Sequence, residues 1–258
     1  MNYIGIDIGS TYAKAAVLDA QKQLIFTDVR PTGWSSADIA ASLKEDLLKA
    51  GLAVEDSRCT ATGYGRSSVE FAGRKITEIT CHAKGCAYIF SDGSFTLIDI
   101  GGQDTKIISV SDGAVSDFMM NDKCSAGTGR FLEVMANVLR MSVEEMCALA
   151  RQGGGVTISS MCTVFAESEV ISLIGKAEKK ANIAYAIVES VASKVATQAR
   201  RLLNEGGPVF LTGGLCEYAY IAESLSRLLN TQVKTDPLGR FAGAIGAAIC
   251  TYEKNRNA

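Results

Sequence analysis

Two short stretches carry the residues best suited to chemistry. Ile6-Asp7-Ile8-Gly9 is followed by Ser10, Thr11, Tyr12, Ala13 and Lys14, and Ile98-Asp99-Ile100-Gly101 is followed by Gly102, Gln103 and Asp104. In each, a glycine lets the backbone turn tightly and approach a ligand closely. The amides after Gly9, with the Ser10 and Thr11 hydroxyls, form a nest that favours phosphate oxygens. Asp7, at the strand end, can hold waters of a magnesium ion, which keeps much of its hydration shell; Lys14 adds positive charge. Two such turns facing each other would clamp a polyphosphate and its metal from both sides. A glycine pair, Gly213-Gly214, follows an apolar run at 209–212 and would let a nucleoside lie against the backbone. Asp7, Gln103 and Asp104 are candidates to orient water at a terminal phosphate, because phosphoryl transfer depends mainly on positioning and charge.

One Asp-x-Gly alone is an ordinary tight turn. Two copies in matching context, plus a third strand ending in Thr-Gly-Gly, point to nucleotide binding. The chain has no Gly-x-x-x-x-Gly-Lys-Ser/Thr, which excludes a P-loop protein. Cys124-Ser-Ala-Gly127-Thr-Gly129 offers only Gly-x-Gly, with no Rossmann-type strand leading into it.

Eight cysteines are the second chemical feature: Cys59, Cys81, Cys86, Cys124, Cys147, Cys162, Cys216 and Cys250. Cys124 and Cys162 stand apart because each lies just before a predicted helix, 127–139 and 163–174. A helix N-terminus stabilises negative charge, and a thiolate there has a lowered pKa. Lys123 and Arg130 add positive charge nearby. The pair reads either as two buried thiols or as metal ligands. Cys81 and Cys86 compete as a pair, but on a helix they lie about 140° apart, so packing is the expected role. Cys59, Cys147, Cys216 and Cys250 read as core. His82 is the only histidine, with no evident partner for thiol catalysis. Glu167, Glu169 and Arg66 are expected in solvated or structural roles.

The elements that must position these groups follow a repeat. Residues 3–8, 13–18 and 23–29 read as strand, turn, strand, turn, strand, and the unit recurs at 95–100, 106–110 and 114–119, with Asp112-Gly113 as a hairpin turn. Asp7 and Asp99 are 92 positions apart. A duplicated meander predicts two related domains, 1–92 and 93–258, with the C-terminal helix a candidate to return to the first. Helices are predicted at 35–50, capped by Ser35 with Asp38 and stopped by Gly51, at 81–90, and at 142–151 with Ser142 and Glu145 as a capping box. Further helices are expected at 183–203, 217–229 and 241–252, and strands at 209–212 and 232–235. Strands alternating with helices give a mixed α/β architecture.

Composition narrows the class. The chain has 258 residues, 47% of them hydrophobic, 25 glycines, 3 prolines and a net charge of −2. No basic block suggests nucleic acid or an anionic membrane. The N-terminus does not read as a signal peptide, and no apolar run approaches the roughly 18 residues of a membrane span. A cytoplasmic protein is expected.

The phosphate turns and the Thr212-Gly213-Gly214 strand resemble the actin, heat-shock chaperone and sugar kinase superfamily. The closer resemblance is to ATP-dependent activators of 2-hydroxyacyl-CoA dehydratases, in the family that includes the ATPase subunits of benzoyl-CoA reductase. It rests on Gly5-Ile-Asp-Ile-Gly-Ser-Thr11, Ala61-Thr-Gly-Tyr-Gly-Arg66, Ile98-Asp-Ile-Gly-Gly-Gln-Asp104, Asn121-Asp-Lys-Cys-Ser-Ala-Gly-Thr-Gly-Arg-Phe131, Cys162-Thr-Val-Phe-Ala-Glu-Ser-Glu169 and Phe241-Ala-Gly-Ala-Ile-Gly246. These span almost the whole chain.

The resemblance implies two ribonuclease H-like, actin-like ATPase domains with a nucleotide cleft between them. It implies ATP or ADP with Mg²⁺ on the residues of both turns, Gly213 and Gly214, with Gly127 and Gly129 as further backbone contacts. It also implies an oxygen-sensitive homodimer bridged by one 4Fe–4S cluster, with Cys124 and Cys162 as ligands from each subunit. The implied task is to pass a low-potential electron from a ferredoxin or flavodoxin to a partner dehydratase or related reductase, driven by ATP hydrolysis. Such coupling is expected through a hinge that nucleotide closes. The rivals are a small-molecule kinase of the same superfamily and a non-redox module using ATP as a switch.

Overall fold

The computed structural model describes residues 1–55, 58–159, 162–204 and 206–256. Its chain divides into two units: Met1–Ser94 with Val110–Ser116 and everything from Leu238 onward, and Phe95–Ser109 with Asp117–Pro237.

The first unit is built on β1 (Tyr3–Ile8), β2 (Tyr12–Leu18), β3 (Leu24–Pro31), β4 (Cys59–Thr62) and β5 (Arg74–Lys75), in the order β3-β2-β1-β4-β5. Every residue of β1 is buried, as expected of a central strand covered on both faces. Its alternation divides the labour. Ile4, Ile6 and Ile8 face a core closed by α1 (Ser36–Lys49) through Ala40, Leu43 and Leu47. Tyr3 faces the other way, into a core with Ala244, Ile245, Ala248 and Ile249 of α8 (Ala242–Arg256). Gly5 lies on that second face, where a Cβ would collide with the Ala244 carbonyl. Helix α8 also packs closely on α2 (Glu78–Phe90), where Cβ atoms at Gly85 and Gly246 would strike the Ala242 and Cys81 carbonyls.

The second unit repeats the sheet. Strands β6 (Phe95–Ile100), β7 (Thr105–Ser111), β8 (Ala114–Asn121), β9 (Val209–Gly213) and β10 (Val233–Lys234) run in the order β8-β7-β6-β9-β10. In both sheets the first strand of the meander pairs in parallel with the fourth. The duplication therefore covers five strands. The sequence reading saw three, and missed β4 and β5. The core is closed by α3 (Gly129–Val138), α4 (Val143–Ala150), α5 (Thr163–Gly175), α6 (Lys180–Ala199) and α7 (Ala219–Leu229).

The expected caps are present. Ser35 accepts from the Asp38 amide, Gly51 has φ +75°, and Ser142 and Glu145 form both bonds of a capping box. Four helix starts differ from expectation: α6 begins at Lys180 rather than 183 and ends at Ala199, and α7 begins at Ala219 rather than 217. Helix α2 begins at Glu78, ahead of Cys81. Helix α3 begins at Gly129 rather than 127, because Gly127 has φ +90°, which no helix accommodates. Among the described residues no helix is long and apolar enough to cross a membrane.

Candidate functional site

Each unit carries one phosphate turn of the same build. In the first, the Gly9 amide donates to the Tyr12 carbonyl at 3.0 Å, and Thr32 reinforces the turn by donating its hydroxyl to the Gly9 carbonyl at 2.7 Å. In the second, the Gly101 amide donates to the Asp104 carbonyl at 2.9 Å. Ser10, Thr11 and Tyr12 lie at the accessible tip of the first turn, while Ala13 is buried and serves the core. The tip of the second turn presents Gly102 and Gln103.

The carboxylates behind the turns are almost fully buried, Asp7 at 3% and Asp99 at 1% exposure. Each faces a lysine seven residues on. Asp7 and Lys14 are direct cross-strand partners, with Nζ 3.8 Å from Oδ2. Lys106 Nζ lies 3.6 Å from Asp99 Oδ2 and 2.6 Å from Asp104 Oδ2. The units differ here in charge. One lysine balances one aspartate in the first turn, whereas two aspartates share one buried lysine in the second. Lys106 was missed in sequence, although it lies at the same 92-residue offset from Lys14 that relates the aspartates.

A parallel strand end flanks each turn. Thr62 lies beside Asp7 in the sheet and Thr212 beside Asp99. The Thr212 hydroxyl donates to Asp99 Oδ1 at 2.8 Å. The next residues, Gly63 and Gly213, have φ +90° and +85°, and a Cβ there would strike the Ile8 or Ile100 carbonyl. The Gly213-Gly214 pair therefore has an unforeseen counterpart at Gly63. Arg66 holds that counterpart by donating to the Gly63 carbonyl at 2.9 Å. Gly214 is unlike its neighbour, since nothing lies within 4 Å of a Cβ built on it. His82 is buried beside the Asp7 carboxyl group. A Cβ at Gly243 would lie 2.9 Å from His82 Nε2 and 3.0 Å from Asp7 Cγ.

The second turn is bonded directly to the loop that holds Cys124. The first amides of α3 do not point at that cysteine. Gly129 N–H donates to the Gly101 carbonyl at 2.9 Å and Arg130 N–H to the Gly102 carbonyl at 2.8 Å. The buried Thr105 hydroxyl donates to the Gly127 carbonyl at 2.6 Å. Asn121 Nδ2 donates to the carbonyls of Cys124 and Ala126 at 2.9 and 3.3 Å. Ser125 and Thr163, the residues after Cys124 and Cys162, are joined hydroxyl to hydroxyl at 2.8 Å. Gly101, Gly102, Gly127, Gly129 and both cysteine loops therefore belong to one hydrogen-bonded assembly.

Both candidate ligand cysteines are accessible: Cys124 is half-buried and Cys162 exposed, whereas the other six are buried. Cys162 is the N-cap of α5 with no side-chain capping bond, so the helix-start expectation holds for it. For Cys124 that expectation fails, because α3 starts five residues later and its amides are taken. Of the two charges expected nearby, Arg130 pairs with Glu133 at 3.2 Å. A cation that was not expected, Lys194, stands at Cys124, with Nζ 3.7 Å from Sγ. Cys81 meets Cys250 across α2 and α8, and its thiol is pushed up by that hydrogen bond and by burial. Burial pushes Cys147 up to about 12. Glu169 accepts from the Ser159 amide and hydroxyl at 2.8 and 2.7 Å. Among the described residues no three of His, Cys, Asp and Glu gather around a metal position.

Two sheets of this order, each with a glycine-tight turn backed by a buried aspartate, define an ATPase of the actin-like fold. The chain belongs to the BadF/BadG/BcrA/BcrD ATPase family, whose model matches residues 4–251. It is 43% identical over 254 residues to the (R)-2-hydroxyglutaryl-CoA dehydratase activating ATPase of Acidaminococcus fermentans, covering 97% of each chain. The crystal structure of component A of that organism's dehydratase superposes with a TM-score of 0.92 at 41% identity, over 99% of both chains. The activator of 2-hydroxyisocaproyl-CoA dehydratase from Clostridium difficile, solved with bound ADPNP, gives 0.91 at 36%, over 100% of this chain and 96% of that one.

Proposed function

We propose that this protein is an ATP-dependent reductive activator that delivers a low-potential electron to a 2-hydroxyacyl-CoA dehydratase or a related acyl-CoA reductase. One observation carries the reading: the second phosphate turn and the Cys124 loop are a single bonded assembly, which a sugar or acid kinase has no use for. The relatives named as dehydratase activators support the same partner class.

In this reading, residues 1–92 and 93–258 supply the two ATPase domains, with α8 packed on the first, and both turns serve one magnesium nucleotide. Ser10, Thr11, Tyr12, the Ala13 backbone and Lys14 hold phosphate from one side; Gly101, Gly102, Gln103, Gly213 and Gly214 hold the other parts of the nucleotide. Asp7, Asp99 and Asp104 orient the hydrated metal, and Gln103, at the tip of its turn, orients the attacking water. Gly127 and Gly129 act through the backbone, as the link between turn and cysteine loop.

Cys124 and Cys162 suit a shared iron–sulfur site. Both are accessible, their loops are bonded to each other, and one is backed by an ammonium and the other by a helix start. A four-thiolate 4Fe–4S cluster at the two-fold axis of a homodimer would, when bound, supply one-electron chemistry at low potential. Val164 and Phe165, at 67% and 66% exposure, and the exposed Ile171 and Ile174 lie on α5, and such exposed apolar side chains suit a contact with a second subunit. A ferredoxin or flavodoxin would be the donor. The eight thiols fit a reducing cytoplasm.

Purification without oxygen tests this. The expected protein is brown, with about two irons per chain, and Cys124→Ala loses the iron but keeps ATP binding. A colourless, iron-free protein after reconstitution, or phosphorylation of a small-molecule substrate, would overturn the reading.

A further inference from the structure

Lys194 lies on α6, in none of the sequence motifs. Its neighbours on the helix, Val191 and Val195, are buried in the core of the second unit, so the base of the side chain is fixed. Its stem crosses the Cys124 loop at Gly127, where a Cβ would lie 3.3 Å from Lys194 Cδ and 3.5 Å from Cγ. The ammonium then reaches Cys124 Sγ at 3.7 Å. Among the described residues no carboxylate pairs with it. The bare glycine at 127 thus has two jobs: it makes the φ +90° turn, and it leaves the path along which the lysine arrives.

The two partners hang from different parts of the unit. Lys194 belongs to the core helix. Cys124 belongs to a loop held by the second phosphate turn through the Gly101, Gly102 and Thr105 bonds. A shift of the turn therefore changes the distance between ammonium and sulfur. A positive charge and an N–H donor at a ligating sulfur favour the more negative, reduced state and so raise the potential.

We infer that Lys194 is a positioning residue that sets the reduction potential of the group bound at Cys124 and makes that potential depend on nucleotide. This rests on the iron–sulfur reading of the two cysteines. Potentiometric titrations followed by electron paramagnetic resonance, with and without ADP and a non-hydrolysable ATP analogue, would compare wild type, Lys194→Met and Lys194→Arg at equal iron content. The expected result is a more negative potential in Lys194→Met, a smaller shift on adding nucleotide, and near-wild-type behaviour in Lys194→Arg. A wild-type potential and nucleotide shift in Lys194→Met would overturn the inference while leaving the cluster reading intact. Absence of a cluster from wild type would instead sink the parent reading. If methionine prevents cluster assembly, Lys194→Leu, with neither charge nor donor, takes its place, and a wild-type potential there overturns the inference equally.

Discussion

Replacing Thr105 by valine removes one hydroxyl and changes almost nothing else in shape. That hydroxyl donates at 2.6 Å to the Gly127 carbonyl, and both residues are buried. The variant leaves the carbonyl without this donor, at a cost of about 1–3 kcal/mol. The damage falls on the link between the second phosphate turn and the Cys124 loop. The remaining ties, from Gly129 to Gly101 and from Arg130 to Gly102, act at the helix start, and the Asn121 bonds to the Cys124 and Ala126 carbonyls come from β8 rather than from the turn. The same energy corresponds to a change of roughly 5- to 150-fold in an equilibrium between held and released loop. Urea unfolding of the iron-free protein should register the loss of stability. Alkylation of Cys124, measured with and without an ATP analogue, should register the released loop: its rate should respond to nucleotide in wild type and respond much less in Thr105→Val, while nucleotide binding itself persists. An unchanged urea midpoint together with an undiminished nucleotide effect on alkylation would refute the idea that this hydroxyl transmits anything.

The glycine strand end permits a paired test. Gly213→Ala meets the Ile100 carbonyl at a positive φ and should lower stability by more than about 2 kcal/mol, whereas Gly214→Ala has open space and should melt like wild type, so any loss of ATP affinity there reports a contact with nucleotide. Lys106→Met strands Asp99 and Asp104 without their shared cation and should cost on the order of 3–5 kcal/mol in thermal or urea unfolding; a wild-type midpoint would mean the three groups are solvated instead. Hydrogen bonds from the Ser142 amide, and then its hydroxyl, hold Glu145 below the usual glutamate range. Its contribution is therefore complete above that range and is lost as pH falls through the lowered folded value. Glu145→Gln should be less stable than wild type near neutrality, and the gap should close on acidification; a gap that widens would contradict the sign.

Much of the site could be read from spacing because the duplication preserved it. An apolar strand ending in Asp-x-Gly has a pattern and a physical reason, and it occurs twice at one offset. The strands that complete each sheet were harder. Cys59 to Thr62 is four residues and β5 is two, too short for any period to register, so Thr62 and Gly63 were seen as part of a motif but not as a strand end beside Asp7. The start of α3 was misplaced because a residue at φ +90° looks in sequence like any glycine before an apolar run. Lys106 was read only as the start of a strand, although its offset from Lys14 was available. Lys194 left no trace at all: it is 70 residues from Cys124, and only the packing of α6 brings them together.

The division of the chain has a consequence for its synthesis. The first sheet is made early, but α8, which covers the face carrying Tyr3 and Gly5, follows the whole of the second unit. At about 5–20 residues per second, that interval lasts roughly ten to thirty seconds. The second unit, apart from the segment Val110–Ser116, is contiguous and can close its core without waiting for α8. The sheet bearing Asp7 must meanwhile wait with one apolar face uncovered, exposed to chaperones and to neighbouring nascent chains. Its glycine-lined groove is shaped for a helix that does not yet exist.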